Sequence, residues 1–352
     1  MPVTLSQAQV NAQSDVDYTV IDNLRRYSWL FDQIVFDDTV TPGTNGGSLT
    51  YAYTRLTTAA AAGFRAYNSE YTPTEAARQR FSVDLKPLGG AFSVDRALSN
   101  LGQTVTNEVS FQLQQKLTSV RTRFQQELIL GDIAVDANGF DGLSKSLAAT
   151  TTEFYPGAAG ANFADWSPAT VNTQALANQR LDEFDEFLTR IIASQVGSGQ
   201  GVAPGALPPG VKAILGNTKS VARFRALARW AAIYTSEKDD LGRQIERYGG
   251  WVLVDIGDRV DGASPIIPIE TRDTDLGGGV NNQTNLTDLY AVTFGMDALH
   301  GASKAGSPLM QTWLPDYSTA GAVKSGEVEF GPLAMVLKST RSAGVFRNAK
   351  VA

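Results

Sequence analysis

Val105, Val109, Leu113, Leu117, Val120, Phe124 and Leu128 recur at spacings of four, with a single spacing of three. Side chains three and four apart stand above one another on a helix, so this spacing predicts one continuous apolar stripe over more than six turns. At 1.5 Å per residue, such a helix is about 40 Å long. Gly131-Asp132 follows the stripe, and glycine is the residue best able to close a helix in the left-handed conformation. The stripe reads as the buried face of a core helix rather than a coiled-coil seam. A chain built around one such rod has to supply a body for it to lie on.

The segments before this helix look like contact devices more than a second core. Residues 1–14 are polar and unpatterned, and Ser14 with Asp17 resembles a capping box before Val16, Val20, Ile21 and Leu24 at helical spacing. A short helix near 15–27 is expected, running into Trp29, Leu30, Phe31, Ile34 and Phe36. So much apolar surface beside a chain terminus needs a partner, either the chain's own core or a neighbouring subunit. TPGTNGG at 41–47 is strong turn chemistry. Beyond it Leu49, Tyr51 and Tyr53 alternate as in a half-buried strand, Gly63–Asn68 reads as another short strand, and Phe81, Val83 and Leu85 alternate again. Gly89-Gly90 is expected to turn the chain so that Ala91–Arg96 runs back. Strands with few large core residues and polar tips suggest a long hairpin projecting from a body.

After the long helix the chain alternates between helices and short strands. Leu176, Leu181, Phe184, Leu188, Ile191 and Ile192 form one helix face, with Asp182, Glu183, Asp185 and Glu186 on the other. Gly197–Gly210 reads as a loop and Val211–Leu215 as a strand. Asn217 is placed to cap a helix buried through Val221, Phe224, Leu227 and Ala231. Trp251–Ile256 and Leu289–Phe294 read as buried strands, 273–288 as a polar loop, and Val328–Phe330, Leu333–Lys338 and Gly344–Val351 as closing strands.

The chemistry-bearing residues are sparse. The chain has no cysteine and a single histidine, His300, which removes thiolate sites, Cys–His dyads and multi-histidine metal centres. His300 follows an apolar run and reads as a polar residue at a strand end. No G-x-S-x-G elbow supports a serine triad on it. The carboxylates at 182–186 are the solvated face of a helix, Asp255/Asp258/Asp261 lack calcium-loop spacing, and Asp273/Asp275 lie in a polar loop. GSGQG at 197–201 follows a helix, lacks a P-loop lysine and reads as a linker. No catalytic, cofactor-binding or metal-binding residue is expected, and the chain is not read as an enzyme. With 36 acidic and 30 basic residues the net charge is −6, which argues against a surface built to grip phosphate backbones. No apolar run reaches the length of a membrane span and no signal sequence opens the chain, so no membrane partner is expected.

Taken in order, these parts resemble the major capsid proteins of tailed double-stranded-DNA phages, the Hong Kong 97-type fold. The likeness is carried by Val20-Ile21-Asp22-Asn23-Leu24 running into Ser28-Trp29-Leu30-Phe31 and Ile34-Val35-Phe36. It continues in Leu49-Thr50-Tyr51-Ala52-Tyr53 with Gly63-Phe64-Arg65-Ala66-Tyr67-Asn68, and in Leu130-Gly131-Asp132 with Phe140-Asp141-Gly142-Leu143. Met335-Val336-Leu337-Lys338 and Ala343-Gly344-Val345-Phe346-Arg347-Asn348 close it.

The resemblance implies an α+β chain in five parts. An amino-terminal arm occupies 1–43, an extended β-hairpin loop 44–88, and a peripheral domain 89–149 with its spine helix at 104–130. A mainly axial domain covers 150–315, and 316–352 returns as closing strands of the peripheral domain. It implies a shell subunit that assembles as pentamers and hexamers into an icosahedral capsid around phage DNA, in the virion, after assembly in the bacterial host cytoplasm. Subunit contacts are then expected from Val20, Leu24, Trp29 and Phe31 of the arm and from Tyr51, Tyr53, Phe64, Arg65 and Tyr67 of the loop. Implied partners are further copies of the chain, portal and scaffolding proteins, decoration proteins, and weak non-specific contact with packaged DNA. An encapsulin shell shares these implications except for its contents, and a carboxylate-dependent hydrolase is the alternative of another class. Two departures matter. No lysine precedes Lys86, so the loop tip lacks the nucleophile that some relatives use for covalent cross-linking. No long scaffolding segment precedes the arm, and the initial Met1 makes a separate scaffolding protein the expectation.

Overall fold

The computed structural model describes residues 29–41, 48–96, 108–158, 160–192, 210–231, 235–238 and 244–352. The helix expected at 15–27, with Val20 and Leu24, lies outside them, as does most of the Gly-rich stretch at 197–210.

The central layer is one branched sheet. Its main path runs β14 (Met310–Trp313), β15 (Val323–Leu337), β13 (Leu299–Lys304), β12 (Asn282–Phe294), β7 (Val211–Gly216), β10 (Trp251–Asp255), β9 (Gln244–Tyr248) and β8 (Thr235–Lys238). Off this path, β1 (Phe36–Val40) lies parallel on β13, β4 (Lys86–Asp95) antiparallel on β15, and β16 (Ala343–Lys350) antiparallel on β12. The sheet is buried on both faces at its centre because its strands are apolar at successive positions. Alternation divides them. Ala213, Leu215, Tyr290 and Val292 point into one apolar cluster, while Ile214, Leu289 and Ala291 point into the other.

The long helix, α2 (Glu108–Leu130), covers the first face. Val120, Phe124 and Leu128 of the expected stripe are buried there, and Leu113 and Leu117 pack at its margin. Val105 lies outside the described residues. Helix α1 (Trp29–Gln33) nests on the same side: the Phe31 ring meets Phe124 at 5.5 Å and Phe330 at 5.2 Å, both edge-on, the arrangement that ring quadrupoles favour. Gln125 ties the layers together, donating to the Ile256 carbonyl at 2.6 Å and accepting from the Leu30 amide at 3.4 Å.

The second face is covered by α4 (Gln174–Ile192) and α5 (Thr218–Trp230), after the single-turn α3 (Leu143–Ser146). Trp166, Phe184, Phe187, Phe224 and Phe346 form an aromatic centre there. Phe187, which the sequence pattern did not single out, is as buried as Phe184. Asn217 caps α5 as expected, accepting the Ser220 amide at 2.9 Å. Its own amide donates to the Ile267 carbonyl and the Thr287 hydroxyl, so this buried side chain leaves no donor unpaired.

Several expectations are corrected. Gly89-Gly90 does not turn the chain: β4 runs straight through it, opposite Glu329 and Val328 of β15. A Cβ at Gly89 would lie 2.5 Å from the Val328 carbonyl oxygen, so the glycine permits close strand approach instead of a bend. Gly63–Asn68 forms no strand, because nothing lies opposite it to pair with, and the chain turns at Tyr67-Asn68. The polar loop expected at 273–288 is shorter, since β12 already begins at Asn282 on β11 (Glu270–Asp273). The first two closing strands are one strand of 15 residues, β15, with its partners changing along its length.

Candidate assembly surface

The hairpin is built by β2 (Thr50–Thr58) and β3 (Ala77–Asp84), paired antiparallel from Thr50↔Asp84 to Thr58↔Ala77. Its two ends are chemically different. At the base, the Tyr53 hydroxyl donates to the Leu337 carbonyl at 3.1 Å, and Arg55 donates to the carbonyls of Leu337 and Lys338. The Arg55 guanidinium also lies 4.3 Å from the Phe81 ring centre, a cation–π contact across the hairpin. A recess of about 510 Å³ opens beneath, walled by Tyr53, Phe81, Lys86, Phe140 and Met335. Toward the tip every residue from Leu56 to Arg80 is exposed. Phe64 is fully exposed at 109% and Tyr67 at 98%, and Arg65 stacks at 5.3 Å on exposed Tyr71.

Of the nine residues expected to contact other subunits, Val20 and Leu24 lie outside the described residues and the other seven divide. Trp29 and Phe31 pack on the chain's own core, Trp29 meeting Phe294 at 6.0 Å. Tyr51 is buried and Tyr53 half-buried at the hairpin base. Phe64, Arg65 and Tyr67 extend from the body into solvent. Tyr71 and Leu56 share that exposure and were missed, because neither falls in an alternating or helical pattern.

Beneath the hairpin base lies a buried polar cluster. The Tyr51 hydroxyl donates to the Asp37 carboxylate at 3.0 Å, and its ring stands edge-on to His300 at 5.7 Å. Burial first, then the Asp37 hydrogen bond, pushes the Tyr51 phenol up to about 12. His300 corrects the expectation of a polar strand-end residue: it lies in β13 with no exposed surface, opposite Val336. Burial, reinforced by the nearby Lys338 charge, pulls its imidazole down to about 4.

Among the described residues, no group of three or more His, Cys, Asp or Glu side chains comes together to hold a metal, and no helix is long and apolar enough to cross a membrane. The arrangement is a braced hairpin with an exposed, aromatic tip, on a body whose two faces are filled.

No protein-family model and no curated protein sequence matches the chain. Solved structures match it over its full length. The holo-SrpI encapsulin complex from Synechococcus elongatus PCC 7942 has a chain of TM-score 0.60 at 14% identity, covering 100% of this chain and 98% of its own. The capsid of the native GTA particle gives 0.57 at 11% identity, with 99% of each chain covered. A chain of Mycobacterium phage Bobi gives 0.57 at 11% identity, with 100% of each covered. Identity this low carries the fold and not the interfaces. The chain has the Hong Kong 97-type fold seen in phage capsids and in an encapsulin shell.

Proposed function

We propose that this chain is a major capsid protein, a non-enzymatic shell subunit that tiles with copies of itself into an icosahedral capsid around phage double-stranded DNA. The observation that carries this reading is the end-to-end match, in both directions, to chains of a GTA capsid and of a phage. Extended hairpin, long helix and branched sheet occur together in this one chain, as the reading requires.

In this reading residues 1–43 are the arm, 44–88 the extended loop, 89–149 and 316–352 the peripheral domain, and 150–315 mainly the axial domain. Phe64, Arg65 and Tyr67, with Tyr71, engage an adjacent subunit in the same capsomer. Their exposure supports this, since large apolar side chains grouped in solvent mark interaction sites. Such an interface is heterologous and closes into rings of five or six. Val20, Leu24, Trp29 and Phe31 serve the arm contact, with Trp29 and Phe31 anchoring its root in the body. Tyr51 and Tyr53 act from the hairpin base, holding the loop at its working angle. With no lysine before Lys86, the shell is held non-covalently, each weak contact multiplied by many copies. Portal, scaffolding and decoration proteins and weak contact with packaged DNA complete the partner set, in a virion assembled in the host cytoplasm.

Electron microscopy of the expressed protein tests the reading: closed shells built of pentamers and hexamers are expected, and a persistently monomeric compact particle would overturn it. An encapsulin shares the fold, and particle contents separate the two: nucleic acid with a portal vertex supports the capsid, an enzyme cargo the encapsulin.

A further inference from the structure

The one histidine of the chain is buried with both of its ring nitrogens unpartnered. His300 has no exposed surface, and neither ring nitrogen makes a hydrogen bond; the Ala298 backbone stands beside the ring without completing one. A buried imidazole with empty nitrogens costs free energy while neutral and far more once charged. Its position gives that cost a structural meaning.

Three elements converge on it. Strand β1 lies directly on β13, with the Gly301 amide donating to the Val35 carbonyl at 2.9 Å. The contact is so close that a Cβ at Gly301 would fall 2.4 Å from the Phe36 ring. Strand β2 lays Tyr51 against the imidazole, and Tyr51 in turn holds Asp37 of β1. The end of β15 and the residue after it supply the carbonyls of Leu337 and Lys338 that Tyr53 and Arg55 grip. His300 therefore lies where the arm strand, the hairpin base and the body meet.

The charged and titratable groups facing it come from each of these elements: Asp37 from β1, Tyr51 from β2, Asp297 from the turn before β13, and Lys338 after β15. Lys338 approaches the same Tyr51 ring, at 5.9 Å from its centre. A proton on His300 would thus add a second cation beside Lys338. Asp37, which accepts the Tyr51 hydroxyl, and Asp297 offset that charge only in part, since the imidazole is still held low.

We propose that this site is an acid-sensitive latch: with neutral His300 the arm strand and hairpin base are locked to the body, and protonation of His300 releases both together. The direction follows from linkage. The folded protein holds the imidazole at about 4, against 6.5 when exposed. The unfolded or released state therefore binds more protons between these values. The lock is complete above 6.5 and weakens as the pH falls toward 4. The inference rests on contacts within one chain and does not depend on the shell reading.

Hydrogen–deuterium exchange of the full chain, unassembled and assembled, tests it, with rates corrected for the intrinsic pH dependence of exchange. Residues 36–40 and 50–58 are expected to exchange about tenfold faster at about pH 4.5 than at neutral pH, while Trp251–Asp255 on the far strand is unchanged. His300→Phe should abolish the acceleration. Should that variant fail to fold, Lys338→Gln decides the matter: by removing the neighbouring cation it should move the acceleration to higher pH. Acceleration that is absent, that persists in His300→Phe, that spreads evenly over the chain, or whose pH is unmoved by Lys338→Gln would overturn the latch.

Discussion

Arg347 and Asp288 are paired at 2.9 Å across adjacent strands β16 and β12, with side chains only 12% and 3% exposed. The same guanidinium reaches Glu153 at 2.9 Å and the Ser144 hydroxyl at 3.0 Å, while Arg272 takes the other Asp288 oxygen at 2.6 Å. Burial opposes the Arg347 charge, yet Asp288, Tyr290 and Glu153 hold its pKa above the ordinary guanidinium value. Asp288→Asn would remove the carboxylate that Arg347 and Arg272 share, leaving each with one acid partner, Glu153 and Glu270. The expected loss is about 3–5 kcal/mol, the cost of breaking a buried ion pair from one side. Urea denaturation of the wild type and the variant measures it, and a loss below about 1 kcal/mol would show that the network relaxes without its acid.

At the loop tip, stability and assembly should separate. Phe64→Ser removes a fully exposed ring and should change the unfolding free energy of the single chain by no more than about 0.5 kcal/mol. Under the assembly reading, Phe64→Ser with Tyr67→Ser should still cut the yield of closed particles about tenfold or more. Particle counts by electron microscopy beside denaturation curves separate the two effects. Unchanged particle yield would remove the tip from the interface.

Gly301 carries a coupling that a double-mutant cycle can isolate. Gly301→Ala should cost about 1–3 kcal/mol, because its methyl group must displace the Phe36 ring. In a Phe36→Ala background most of that penalty should vanish. An equal cost in both backgrounds would place the strain elsewhere, in the backbone of β13.

Arg55 braces the hairpin. Arg55→Ala removes the hydrogen bonds to Leu337 and Lys338 and the contact with Phe81, an expected loss of about 1–2 kcal/mol. Faster amide exchange confined to 50–58 and 77–84 is the accompanying sign, and exchange unchanged there would mean that Tyr53 suffices.

Where local pattern decides structure, the sequence was readable. The stripe through Val120, Phe124 and Leu128, the strand at 211–216 and the Asn217 cap all rest on residues within a turn or two of each other. The errors share a physical cause. Gly89-Gly90 reads as a turn in the sequence because its role, admitting the Val328 carbonyl, depends on a strand far along the chain. The start of β12 reads as part of a polar loop because the run at 273–288 is mostly polar, and the Arg347 that pairs Asp288 lies 59 residues away. His300 stands near the start of β13, but its burial is not legible because it comes from β1 and β2, which precede it by more than two hundred residues. Of the candidate surface, Phe64, Arg65 and Tyr67 come from the family resemblance alone, since their local pattern reads as a strand that does not form. The anchoring of Tyr51 and Tyr53 was not legible either, since carbonyl acceptors have no sequence signature.

The hairpin base is gripped by the Leu337 carbonyl, 284 residues after Tyr53. During synthesis the ribosome makes the hairpin early and its anchor late. For most of that interval β2 and β3 can pair with each other but cannot be held at their final angle on the body. Long-range contacts of this kind form slowly, after the local ones. A nascent chain therefore exposes its aromatic tip without the rigid base that would aim it. The fold imposes a clock: the reaching element becomes competent only once the strand that braces it has been made, which spaces chain growth and docking apart in time.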